Sequence, residues 1–307
     1  MLYKYRGPID FNNIGTSNTA KIFSEAGLFY AKPSTFNDPF DGMLNFDYSA
    51  SKEEAIDYVF RSFGYQHRSR GRDIPVDLRY EEAKRTVDEM YDRTITGTYW
   101  DNARYYRDLM DYYGVLALSA EKHNLLLWAH YAANHKGLCL EFDWGQTGLP
   151  AVTEMVYATN YRKVRFWAHT EDELAIIALY QKSVDWSYER EYRSTNPTVF
   201  EWRTTNPDPA IIKTIATIAT KSIGLPKNLI KRLELQHYKS HKHPVELGSS
   251  KILNFEKDSL RSVLFGMRME PEVRERHKEF ILANGFNPEF KVAYQHPDRY
   301  AVEFRDG

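Results

Sequence analysis

The chain has one cysteine, Cys139, set between Leu138 and Leu140. It has no partner for an internal disulfide, so it reads as a buried small hydrophobe in a reducing compartment. A cytoplasmic location is the expectation. No apolar run of about 18 residues occurs, and Met1 to Arg6 carries no apolar signal core. Neither a membrane partner nor export is therefore expected. Neither sign of charge prevails: 41 Lys and Arg face 42 Asp and Glu, for a net charge of −1. This excludes a surface that attracts nucleic acid everywhere and leaves room for a local basic patch.

Compact catalytic motifs are also missing. No Gly-x-Gly occurs, so the usual dinucleotide fingerprint is absent. There is no G-x-x-x-x-G-K-[ST], no H-E-x-x-H, no paired C-x-x-C and no G-x-S-x-G. These absences weigh against P-loop NTPases, common zinc hydrolases and lipase-type esterases. His237, His241 and His243 form the one histidine cluster, but they lie in a lysine-rich stretch with no acidic third ligand. A solvated basic face is the stronger reading, and no metal is expected.

What is present is an ordinary globular composition, 42% hydrophobic and 27% charged over 307 residues. Aromatics are abundant at 15%, with 22 Tyr against 17 Phe and 6 Trp. Tyrosine offers a flat apolar ring with a polar tip, suited to a core or to a groove that holds a base or sugar.

Alternation predicts strands at Leu2–Arg6, 28–31, 114–119, 137–142, 151–157, 186–193 and 259–266, with a strand pair near 290–304. Helical spacing predicts helices at 17–26, 79–112, 125–133 and 271–284. Ser51 with Glu54 and Thr170 with Glu173 form capping boxes that open two more, the second running through Gln181. The pattern dissolves near 66–73, around Arg68, Arg70 and Arg72. Strands and helices mix without a βαβ rhythm, so the expected class is α+β, a mixed or antiparallel sheet with flanking helices. Residues 1–200 and 251–307 read as one domain. Residues 201–250 read as a helical insertion whose isoleucine face is buried.

Three constellations carry chemistry. Phe36-Asn37-Asp38-Pro39-Phe40-Asp41-Gly42 builds a rigid turn, with Phe36 and Phe40 as core anchors. Trp128, His130 and Tyr131 share one short helix, where His130 could donate a hydrogen bond or act as a base. In Trp186–Arg193, a strand would point Glu189, Glu191 and Arg193 one way and Trp186, Tyr188 and Tyr192 the other. Two same-face carboxylates repel unless a cation or ligand lies between them. Arg193 is the nearest candidate cation. As a surface pair it would contribute about 1 kcal/mol.

Taken in order, Leu2–Arg6, Gly27–Tyr30, Ser34–Asp41, Trp128–Ala132 with His135-Lys136-Gly137, and Trp186–Arg193 resemble the bacterial and phage family called domain of unknown function 2971 (DUF2971). The resemblance resumes at Leu260–Gly266 and skips 201–250. The order of parts is also similar to the ADP-ribosyltransferase superfamily: an early strand with Tyr5 and Arg6, a central strand with Ser119, and a late Glu-x-Glu.

That similarity implies NAD as substrate, with ADP-ribosyl transfer or NAD hydrolysis by a defence or toxin-like protein. Glu191, with Glu189, would orient the ribose as positive charge develops, and His130 would be a donor or base. Arg6 would hold phosphate or ribose. Tyr131 and Trp128 would form an aromatic wall, while Asn37, Asp38 and Asp41 orient the site. Small nucleotides and a protein or nucleic-acid acceptor are the expected partners. The other readings are a nucleic-acid-binding or nuclease module using Arg68, Arg70, Arg72 and Lys227–Lys242, and a non-enzymatic nucleotide sensor.

Overall fold

The structure, a computed structural model, describes residues 1–69, 76–95, 110–111, 113–168, 171–196 and 251–307. In chain order its elements are β1 (Leu2–Arg6), α1 (Asn18–Ser24), β2 (Gly27–Tyr30), β3 (Asn45–Asp47), α2 (Lys52–Ser69), α3 (Val76–Ile95), β4 (Gly114–Ser119), α4 (Leu125–Tyr131), β5 (Leu138–Phe142), β6 (Val152–Glu154) and β7 (Val156–Ala158). Then follow β8 (Lys163–Arg165), α5 (Glu171–Leu179), β9 (Gln181–Ser183), β10 (Glu191–Asn196), β11 (Lys251–Asn254), β12 (Leu260–Phe265), α6 (Pro271–Ala283), β13 (Glu289–Gln295) and β14 (Val302–Asp306). The class is α+β. The proposed insertion 201–250, the histidine cluster, Thr170, and Arg70 and Arg72 lie outside the described residues.

Local chemistry starts the helices. Ser17 caps α1 by accepting from the Ala20 N–H at 3.3 Å. The Ser51–Glu54 box closes reciprocally: the Ser51 N–H donates to Glu54 at 2.9 Å and the Glu54 N–H to Ser51 at 3.1 Å. Asn124 caps α4 through the Leu126 N–H at 2.8 Å. α6 opens on Pro271, where a missing N–H costs nothing.

Eight strands form one sheet in the order β14-β13-β12-β5-β1-β4-β10-β6. All neighbours in it are antiparallel except β12 and β13. Alternation along the strands then sorts side chains between two faces. One face carries Leu2, Leu116, Leu118, Leu138, Leu140, Phe142 and Phe265, covered by Ile22 and Phe23 of α1 and Ile281 of α6.

The other face is divided. Around β1, β5 and β12, Tyr3, Tyr5, Cys139 and Leu264 pack with Leu127 and Trp128 of α4. Around β4, Val115 belongs to a separate cluster built by α2, α3 and α5. A seam between two apolar clusters thus runs along one face of the sheet.

The sheet itself opens there. β1 pairs with β5 at all of Leu2 to Arg6, but with β4 only through Tyr3 opposite Ser119. Farther along the same edge of β4, Val115 exchanges both backbone bonds with Ala31, at 2.8 and 2.9 Å. Between these two points Ala117 has no strand partner on that side. Its carbonyl accepts instead from Lys4 Nζ at 2.6 Å.

Several sequence expectations need correction. α5 stops at Leu179, and the 3-10 turn Val184–Glu189 replaces the first half of the expected strand 186–193. Arg190 in the left-handed region (φ 44°) ends the turn, so strand pairing begins only at Glu191. The stretch 151–157 is two short strands, because it changes partner after Met155, from β10 to β9. Helix α2 runs on to Ser69, past the point where the apolar pattern fades. Of the helix expected over 79–112, the first part lies in α3, Val76–Ile95, and residues 96–109 lie outside the described residues.

Two glycines permit close backbone approaches at the end of β1. A Cβ on Gly137 would lie 2.1 Å from the Arg6 carbonyl oxygen, and one on Gly266 would lie 2.1 Å from that of His135. Neither obstacle is a flexible side chain. Gly137→Ala and Gly266→Ala should each lower stability by about 3 kcal/mol, the upper end for overpacking. Gly15→Ala, with nothing within 4 Å of its Cβ, should leave the thermal midpoint near wild type. Equal midpoints for all three variants would refute this packing account.

Candidate functional site

The seam is filled by charge. Lys182, on β9, is buried and donates to Glu189 at 2.7 Å and to Glu191 at 2.9 Å. Arg193, on β10 and 1% exposed, donates through Nε to Glu191 at 2.7 Å. Its terminal nitrogens pair with both oxygens of Asp41, one of them at 2.8 Å, and reach the Leu179 carbonyl at 2.8 Å. The guanidinium also lies over the Phe36 ring, 5.2 Å from its centroid. Tyr131, the last residue of α4, donates to Glu189 at 2.5 Å. Asn37 approaches the Tyr131 hydroxyl at 3.5 Å, the outer limit for a hydrogen bond.

These contacts close a ring. They run from Asn37 through Tyr131, Glu189, Lys182, Glu191 and Arg193 to Asp41, and so begin and end in one loop. Asp38 holds that loop, its Oδ1 accepting from the Phe40 N–H at 2.9 Å. The other Asp38 oxygen is buried without a hydrogen-bond partner.

Each charge is kept by its neighbours. Burial would push the Glu191 carboxyl up, but Arg193 and Lys182 together hold it below the ordinary range. Burial would push the Lys182 ammonium down, yet the two glutamates raise it. Arg193 is likewise held charged, by Asp41 and Glu191 against burial. Burial raises the Tyr131 hydroxyl, and its bond to Glu189 raises it further, so it stays a donor. Tyr157 is pushed up to about 12, mainly by burial, and its oxygen accepts the Glu191 N–H at 2.7 Å. Ser119 donates to the Glu189 carbonyl at 2.6 Å, fixing the 3-10 turn to β4.

Of the expected site residues, Asn37, Asp41, Tyr131, Glu189, Glu191 and Arg193 fall in this one ring, and Asp38 braces it. Arg193 neutralises Glu191 as foreseen, but the pair is buried rather than at the surface. The cation between the two glutamates is Lys182, which the sequence reading missed. Its one signal was a lone lysine placed directly after the apolar helix Glu171–Leu179, where burial requires a carboxylate partner.

Other expected residues sit elsewhere. Trp128 does not form an aromatic wall: it is fully buried, donates to the Lys122 carbonyl at 2.8 Å, and meets Tyr5 edge to face at 5.3 Å. Tyr5 is buried too, and its hydroxyl donates to the Glu121 carbonyl at 2.8 Å. His130 is exposed and bonds neither glutamate; its ring meets the Tyr131 ring at 6.2 Å. Phe36 is a core anchor, but Phe40 is 62% exposed, because the Asp38 turn directs it outward. Trp186 lies over the Lys182 ammonium at 4.9 Å instead of entering a core.

Arg6 is at the far end of β1. Its guanidinium makes no hydrogen bond or ion pair among the described residues, and its Nε is shut away from solvent. Lys4, two residues earlier, is pushed down to about 7 by burial and by Arg6, against the pull of Glu191 and Glu189.

Residues 127–194 match the family described as protein of unknown function (DUF2971). Over this segment the chain is similar to the DUF2971 family. The matched stretch holds Tyr131, Lys182, Glu189, Glu191 and Arg193, the larger part of the ring. It is shorter than the span suggested by the sequence, since the Asn37–Asp41 loop precedes it. No curated protein and no solved structure matches the chain. No helix among the described residues is long and apolar enough to cross a membrane.

Glu191→Gln should be a stability variant as well as a chemical one. Breaking a buried pair costs about 3–5 kcal/mol, and the lower end applies because Lys182 and Arg193 each keep another carboxylate. Sign follows from the depressed carboxyl. Its contribution is present above the ordinary value of 4.5 and is lost as pH falls through its folded value. Urea midpoints at pH 7 and pH 4 should therefore differ less in Glu191→Gln than in wild type. A variant with the wild-type midpoint at pH 7 would show that the ring does not support the fold.

Proposed function

We propose that the seam binds NAD and that the protein breaks its nicotinamide–ribose bond, passing ADP-ribose to an acceptor or to water. The observation that carries this reading is the charge of the ring. Three carboxylates, Asp41, Glu189 and Glu191, face two cations, Lys182 and Arg193. A buried network one negative charge in excess favours a positive charge placed against it.

Such a charge develops when the bond between ribose C1′ and the nicotinamide nitrogen breaks. The electron pair leaves with nicotinamide, and C1′ becomes cationic. A nucleophile then bonds to C1′ and releases its proton to a carboxylate. Glu191, fixed by two cations, supplies the electrostatic contact to the ribose. Glu189, held by Tyr131 and Lys182, sits beside it as proton acceptor. Asn37 and the Tyr131 ring form the side of the site toward the loop. The order of Arg6, Ser119 and Glu-x-Glu along the strands, similar to ADP-ribosyltransferases, supports the same reading by analogy. Release of ADP-ribose units or depletion of NAD would suit a toxin-like or defence protein.

The nucleic-acid reading rests on Arg68, near the end of α2, and on Arg70, Arg72 and Lys227–Lys242, outside the described residues, and a sensor needs no ring with excess negative charge. The test is incubation with NAD and measurement of free nicotinamide. Wild type should release it. Glu191→Gln, assayed at a temperature where circular dichroism shows it folded, should release it roughly a hundredfold more slowly, the effect of losing one transition-state contact. Folded wild type that releases no nicotinamide, alone or with protein or nucleic-acid acceptors, would end this reading.

A further inference from the structure

We infer that His277 is an acid-operated clasp: it holds residues 7–13, the strap from β1 to α1, against α6 and lets the strap go when its ring is protonated. The inference is independent of the NAD reading.

Three observations carry it. First, both ring nitrogens are committed. The Ile9 N–H donates to His277 Nε2 at 2.8 Å, and His277 Nδ1 lies 2.7 Å from the Val273 carbonyl, one turn earlier in α6. An amide N–H only donates and a carbonyl only accepts, so Nδ1 carries the proton and Nε2 is a bare acceptor. Protonation sets a second N–H against that of Ile9 and leaves the Ile9 donor buried without an acceptor.

Second, the ring is sealed. His277 is 0% exposed. It meets Phe11 of the strap edge to face at 5.0 Å and Phe265 of β12 at 6.2 Å. Third, no carboxylate stands by to stabilise an imidazolium. Among the described residues the ring bonds only Ile9 and Val273. On the strap, the Asp10 carboxylate is engaged by Asn12 and Asn13. On α6, Lys278 pairs with Glu275, and Arg276 lies over the Phe11 ring, 4.2 Å from its centroid. From β12 comes the uncharged Phe265. Burial, with the Arg276 charge beside it, holds the imidazole below its ordinary range against the opposing bond to Val273.

Little else holds the strap. Ile9 is the one buried residue among 7–13. The remaining bonds lie toward α1, where the Gly7 carbonyl accepts from Thr19 at 3.0 Å and the Asp10 N–H donates to Ser17 at 3.2 Å. β1 keeps its full pairing with β5 whether or not the strap is closed. Losing the Ile9 bond therefore opens this segment without opening the sheet. It uncovers part of the apolar cluster that Ile9 shares with Phe265 and Ile281. The sign follows from the lowered value. The clasp is closed above the ordinary histidine value of 6.5 and weakens as pH falls below it, because the released ring takes up the proton first.

The experiment is amide hydrogen exchange of the full chain labelled with 15N-isoleucine, followed by NMR from pH 7.5 to pH 5 and corrected for the intrinsic pH dependence of exchange. Protection of the Ile9 amide should fall about tenfold per pH unit below 6.5, the slope of one linked proton. Ile177, buried in α5, should keep its protection. His277→Gln offers Ile9 an acceptor that does not titrate, so its Ile9 profile should be flat. His277→Phe should leave Ile9 unprotected at every pH. Because both variants alter the core, a second measurement uses wild type alone. Imidazole 15N shifts at pH 7.5 should show His277 protonated at Nδ1 and bare at Nε2.

Constant Ile9 protection from pH 7.5 to pH 5 in wild type overturns the inference. So does equal loss at Ile9 and Ile177, which would place the proton's effect on the whole fold. A folded His277→Gln with the wild-type profile assigns the proton to another group and also overturns it. A wild-type ring protonated at Nε2 at pH 7.5 does the same.

Discussion

The buried guanidinium of Arg193 ties this structure together. One side chain joins three elements distant in sequence: its own strand through Glu191, the loop after β2 through Asp41, and the end of α5 through the Leu179 carbonyl. A charge taken this far out of water is tolerable only when its donors are matched. The match here fixes distances that no apolar contact would fix, since hydrophobic packing is non-directional. Asp41 can meet Arg193 only if the Asn37–Asp41 loop folds back over β10. The Asp38 turn and the Phe36 ring hold it in that position.

Lys182 extends the same constraint to the turn before β10. Glu189 stands outside the strand, and the left-handed Arg190 separates it from Glu191. Without that break the two carboxylates would stand on adjacent same-face positions and repel. With it, they converge on one ammonium from two directions. Arg190 itself is exposed, so the strain of its backbone is not relieved by burying its side chain. Ser119 and Tyr157 hold the backbone on either side of it, through the Glu189 carbonyl and the Glu191 N–H. Strain of this kind, kept by surrounding bonds, is often found where a site needs fixed geometry.

Much of this was legible in the sequence, and the reasons for the gaps are physical. Alternation placed β1, β4 and β5 well, because each is buried on at least one face and the period of two is sharp. The Ser51–Glu54 box marked the start of α2 for the same local reason, and apolar spacing placed α1 and α4. The Trp186–Arg193 segment also alternates, yet its first half is a turn. Alternation cannot register a tertiary demand such as Lys182 drawing Glu189 inward. Phe40 was misplaced because aromaticity suggests burial, while the Asp38 turn decides direction. Trp128 was assigned to a ligand wall for its chemistry, but a helix of seven residues needs its largest side chain to hold it on the sheet. Lys4 and Lys182 were passed over because isolated lysines look like surface residues until the fold surrounds them.

The two apolar clusters explain why the charged groups collect where they do. A sheet face covered evenly by helices leaves no position for five buried ionised groups. Here α4 covers β1 and β5, while α2, α3 and α5 cover the β4 side, and neither group reaches the middle. Closing that gap with apolar side chains would be at least as stable, since buried ion pairs seldom outperform well-packed hydrocarbon. A chain that instead places three carboxylates and two cations there gains no clear stability from the choice. It gains a rigid polar surface at the point where the sheet opens, with one more carboxylate than cation.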